Sequence, residues 1–138
     1  MSPLDLTKAP PRSPKARLNG LVMFPRMIDI ARAKLPGVDP GQYQIGRGMS
    51  ALVLKNFNKN VDQFVAIVAE AQSDEEVYER SGGGDHSQLS RVLQRLTVAH
   101  VPDDLRLQFE AFYGSDVPRD RRVVDLLEED DARMFAHK

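Results

Sequence analysis

Three arginines, an aspartate and a tyrosine carry the chemistry that this sequence offers. Arg12 and Arg17 lie in "APPRSPKARLNG", and Arg26 and Asp29 follow in "FPRMIDIARAKLPG". Pro25 suits the first position of a helix, where its missing N–H would be unpaired anyway. A helix start also presents the positive end of the macrodipole. Arginines folded back onto such an end form a clamp for phosphate or carboxylate, because the guanidinium fork meets two oxygens at once. Arg26 and Asp29 are three apart and meet on a helix surface, so Asp29 is the expected orienter of Arg26, or a general base. Tyr43, in the glycine-rich loop that follows, is the candidate hydrogen-bond donor. Against this stands a plainer reading: the arginines pair with acids of the body and orient the segment that carries them.

Other stretches lack the patterns that chemistry needs. Gly82–Gly84 has neither the preceding strand nor the following Lys-Ser/Thr pair of a phosphate loop, and reads as a flexible break. Gly46-Arg47-Gly48 is not a dinucleotide fingerprint. No two of His86, His100 and His137 are spaced to share a helix face, so no metal site is expected. No serine has a nucleophile-elbow context, and no cofactor motif is present. Glu128 to Asp131 are expected to be solvated acids. The absence of cysteine excludes disulfides, thiolate zinc sites and iron–sulfur clusters, and is compatible with a reducing cytoplasm.

Charge is distributed unevenly. Residues 1–34 carry seven Lys/Arg and two acids, whereas the remainder carries twelve and eighteen. The expectation is that the basic segment lies on its own acidic body. That body opposes approach to a nucleic acid. The longest apolar run, Phe64–Ala69, is six residues, far short of a bilayer span, so no membrane partner is expected.

The elements that must position these residues follow from punctuation and period. Residues 1–20 form an extended proline-rich arm, closed by a turn at Asn19-Gly20. Phe24, Met27, Ile28, Ala31 and Leu35 share one face of a helix over Pro25–Leu35, which leaves Arg26, Asp29 and Ile30 on the polar side. Tyr43–Ile45 reads as a brief strand, and Ser50 as the cap of a helix over Ala51–Phe57. Asn60 with Gln63, and Ser73 with Glu76, have capping-box spacing. Leu89, Val92, Leu93 and Leu96 form a stripe, and Val98–Val101 reads as extended. Leu105, Phe109 and Phe112 mark a helix stopped at Gly114, and a last helix carries Val123, Val124, Leu126 and Leu127. The expected architecture is all-α: a single domain over 1–138 of about six mostly short helices, with arm 1–20 packed on it.

"LTKAPPRSPKARLNG" followed by "FPRMIDIARAKLPG" resembles the opening of short bacterial proteins grouped as domain of unknown function 5069. The match is strongest over Leu6–Pro36, and Pro-Arg-x-Ile-Asp-x-Ala-Arg is its most specific part. "DLLEEDDARM" resembles the family's closing segment. The resemblance implies a small, bacterial, mainly helical protein, and names no substrate, cofactor or catalytic residue. Two functions remain open. One is a non-catalytic binding or assembly module, with a homo-oligomer among its forms. The other is an enzyme or sensor for a small anionic ligand held by Arg12, Arg17, Arg26, Asp29 and Tyr43.

Overall fold

The computed structural model describes residues 1–101 and 118–136. The expected helix through Leu105, Phe109, Phe112 and Gly114, and His137, lie outside the described residues. Within them the chain is mostly helical, with six α-helices and one two-stranded antiparallel sheet. The sheet departs from the all-α expectation. Strand β1 (Arg17–Leu18) pairs with β2 (Leu21–Val22) in the register Arg17↔Val22 and Leu18↔Leu21. Asn19 and Gly20 both have positive φ, at 50° and 81°. That left-handed pair matches the right-handed twist of a tight hairpin, and Asn and Gly tolerate it best.

Helix α1 (Phe24–Ala33) follows with Pro25 in its first turn. Its start is set by Met23, whose φ of 77° is costly for a side chain with a Cβ. The Met23 N–H is held by the Pro14 carbonyl at 3.0 Å. Every residue of α1 except Arg32 is buried. The expected polar side therefore does not exist: Ile30, Arg26 and Asp29 are all inside. The hairpin, α3 (Val61–Glu70) and α4 (Asp74–Ser81) pack against α1. Phe24 is the centre of an aromatic cluster, 5.5 Å from Phe57, 5.7 Å from Phe64 and 5.4 Å from Tyr78 between ring centroids.

Local signals are met unevenly. The Asn60 side chain accepts from the Gln63 N–H, and the Gln63 side chain accepts from the Asn60 N–H, a complete capping box for α3. Ser73 caps α4, but Glu76 reaches the Gln72 N–H rather than the cap residue. Helix α2 spans Met49–Asn56 and begins at Gly48. Ser50 lies inside it, accepting from the N–H groups of Gly46 and Arg47 and so bracing the loop instead of capping. Tyr43–Ile45 is not a strand. The glycine triplet is tied down: the Tyr78 hydroxyl donates to the Gly84 carbonyl, and His86 Nε2 lies 2.6 Å from the Gly83 carbonyl oxygen.

Helix α5 (Ser87–Arg95) buries Ser90 and Leu93 beneath the hairpin, where the Ser90 hydroxyl accepts from the Val22 N–H at 3.0 Å. Val92, expected on the buried stripe, stands in solvent. A short 3-10 turn over Val98–His100 replaces the expected extended segment. Helix α6 (Val123–Met134) runs straight through the acidic tetrad.

Candidate functional site

The segment before the hairpin is anchored by Pro11 and Pro14, both buried. Between them Arg12 is directed at two carboxylates from different helices. Its backbone N–H and Nε donate to Asp29 Oδ2 at 2.8 and 3.1 Å, and its Nη2 donates to Oδ1 at 3.0 Å. Its Nη1 donates to Asp74 Oδ2 at 2.6 Å, beside a second bond from Nη2 to Oδ1 at 3.2 Å. One guanidinium thus joins the first turn of α4 to α1. The Asp74 hydrogen bond, followed by those with Asp29, holds its pKa above the ordinary arginine value against the opposing effect of burial.

Arg26 leaves the same stretch of α1 and enters the interior, only 3% exposed. Its Nη1 donates to Asp131 Oδ2 at 2.6 Å and its Nη2 to Oδ1 at 3.2 Å. Nη1 also reaches the Arg12 carbonyl at 3.3 Å, which links the two clusters. The Tyr43 hydroxyl donates to Asp131 Oδ1 at 2.8 Å, and the Arg26 guanidinium carbon lies 5.4 Å from the Tyr43 ring centroid. Burial first, then the bond to Asp131, pushes the Tyr43 hydroxyl well above its usual pKa, so it stays a donor.

Four of the five expected residues therefore converge: Arg12, Asp29, Arg26 and Tyr43. Their pairing differs from expectation. Asp29 does not orient Arg26. It binds Arg12, while Arg26 takes Asp131, because α1 is buried all round and each side chain meets what packs against it. Arg17 is exposed on β1 and forms no ion pair with any described residue. The cluster holds two guanidinium groups and three carboxylates, so it is acid-rich rather than an empty cation nest.

Sequence reasoning missed Asp74, Asp131 and the partners of Lys15. Lys15 Nζ lies 2.7 Å from Asp125 Oδ1 and 3.0 Å from Glu128 Oε1. The Ser13 hydroxyl donates to Glu128 Oε2 at 2.5 Å. The tetrad is thus not simply solvated: Asp131 is 7% exposed. A signal for it was present. Asp131 follows Val124 by seven residues and Leu127 by four, which places it on the apolar face of α6. Among the described residues no three His, Asp or Glu side chains group as a metal site. His86 instead lies 2.7 Å from the Asn56 side-chain nitrogen and 4.4 Å, ring to ring, from Phe57.

The model of the family "Domain of unknown function (DUF5069)" matches residues 8–137. The chain belongs to that family. The match reaches far past the opening segment that resembles it in sequence, so the DUF5069 unit includes the network from Arg12 to Asp131. No curated protein matches the chain.

Proposed function

We propose that this DUF5069 protein is a non-catalytic binding or assembly module. One observation carries the reading: Arg12, Arg26 and Tyr43 spend their donors on Asp29, Asp74 and Asp131 of the same chain. A general acid, base or anion clamp needs a group free to engage its substrate. Here the carboxylates that neutralise the arginines also bind the N-terminal arm to α1 and α4. The reading extends to a single domain working in a bacterial cytoplasm, on the family resemblance and the cysteine-free composition.

A thermal-shift panel of phosphorylated and carboxylated metabolites tests it. A ligand at one hundred times its Kd stabilises by about 2.7 kcal/mol, an easily measured rise in Tm. The module reading expects no shift with any anion. A rise with one of them that disappears in Arg12→Ala would overturn it in favour of a ligand-binding site at the arm.

A further inference from the structure

Helix α5 carries an apolar stripe that the fold covers only in part. Leu93 is buried and Leu89 and Leu96 are half-buried, but Val92 is 55% exposed. The other large hydrophobic side chain exposed among the described residues is Leu52. Around Val92, the side chains Gln88, Arg91 and Arg95 are exposed as well. They fall at i, i+3, i+4 and i+7 with it, so they form one continuous outer face. Asp85, also exposed, stands just before the first turn and accepts from the Ser87 N–H at 2.9 Å. Neither Asp85 nor Arg95 forms an ion pair with a described residue.

The ends of this face are complementary under a two-fold axis: an acid before the start and an arginine at the end, on either side of a middle made of Gln88, Arg91 and Val92. From this order we infer that the outer face of α5 is a self-association surface. Two copies pack α5 against α5 in antiparallel fashion, with Asp85 of each meeting Arg95 of the other. That register is centred on Ser90 and sets Gln88 opposite Val92. Arg91 flanks the seam, about 100° round the helix from Val92, with its charged head left in water. A closed two-fold contact uses the same patch on both copies, which this ordering satisfies. An unrelated acidic partner would make no use of Asp85, which would repel it.

The contact is small. Stable specific interfaces bury roughly 1,200–2,000 Å² in total, and one helix of nine residues supplies less. The dimer is therefore weak, concentration-dependent and sensitive to salt.

This inference rests on the assembly form of the proposed function, and its test is separate. Sedimentation equilibrium of the full chain over a wide concentration range, at low and high salt, reads the mass. The expected result is a rise from 15.5 kDa toward twice that value at low salt, reduced at high salt. Val92→Arg, on an exposed site that leaves the fold intact, should hold the chain monomeric. Arg95→Glu alone should weaken association at least tenfold, and an equimolar mixture of Arg95→Glu with Asp85→Arg should restore it. A monomer at every concentration overturns the inference, as does a dimer indifferent to Val92→Arg. A mixture that stays monomeric while the parent dimerises overturns the antiparallel register. None of these results depends on metabolite binding, so a failure here leaves the thermal-shift test of the module reading intact.

Discussion

Arg26 and Arg12 stand on neighbouring stretches, yet their surroundings make them different residues. Arg26 is enclosed, and its removal strands Asp131 as a buried carboxylate. Breaking one side of a buried pair costs about 3–5 kcal/mol, whereas a well-packed apolar replacement of the pair is often neutral. Arg26→Ala is therefore expected to lower Tm strongly, and a double variant Arg26→Met with Asp131→Leu to recover most of the loss. Denaturant unfolding of the three chains checks this. Equal stability of Arg26→Ala and the parent would show that Asp131 is solvated. A second effect lies at Asp125. Hydrogen bonds from Arg122 and then Lys15 depress its carboxyl to about 2, below the usual value of about 3.9. A depressed carboxyl contributes stability that is complete above about pH 4 and lost as pH falls through about 2. Asp125→Asn should therefore lower the urea midpoint slightly at neutrality, where the contribution is complete, and flatten its fall in that window, so that variant and parent converge at low pH. Solvent exposure keeps the effect small.

Among the elements, α1 is the one the fold cannot spare. Ile28 is fully buried in it, and truncating a buried isoleucine to alanine costs about 2–5 kcal/mol. Ile28→Ala should lower Tm by many degrees, while Arg32→Ala, which removes only a bond from Nε to the Ser2 carbonyl, should not. Thermal melts of both variants decide it, and similar shifts would contradict the burial of α1. The join of hairpin to α5 adds one buried side-chain hydrogen bond to the packing of Leu93. Ser90→Ala leaves the buried Val22 N–H without its acceptor, a loss of about 1–3 kcal/mol. Hydrogen exchange at Val22 should then accelerate ahead of its neighbours; unchanged protection would mean that another acceptor replaces the hydroxyl. The elements also show how much was legible. The capping box at Asn60 and the turn at Asn19-Gly20 follow from residues three apart or adjacent. The Ser50 cap failed because its hydroxyl turned to the loop before α2, where Gly46 and Arg47 offered two donors.

At the scale of the molecule, the basic start and acidic remainder lie on each other. Arg12, Lys15 and Arg26 reach α1, α4 and α6 through Asp29, Asp74, Asp125, Glu128 and Asp131. The outer pairs of Arg12 and Lys15 are open to solvent and screened by salt, and the Arg26 pair is not. Raising salt should therefore loosen the segment before Leu18 while the body stays folded. Limited trypsin digestion should cut at Lys15 or Arg17 faster in high salt, with circular dichroism unchanged. A cutting rate that ignores salt would show that Pro11 and Pro14 alone hold the segment.

What the amino-acid order determined by itself is short-range. Helix periods, the Asn60–Gln63 cap, the Asn-Gly turn and the segregation of charge depend on neighbours a few residues away, so they are visible in a linear string. The pairings that make the candidate site are not. Arg26 and Asp131 are 105 positions apart, and Tyr43 and Asp131 are 88 apart. Asp29 lay closer to Arg26 in sequence and was the natural partner on an exposed helix. Packing on all sides of α1 removed that option: once both side chains were inside, each was stabilised by whichever opposite charge the surrounding helices brought within hydrogen-bond reach. Partner choice among buried charges is decided by packing, because desolvation rewards only a bond that is made directly and in full.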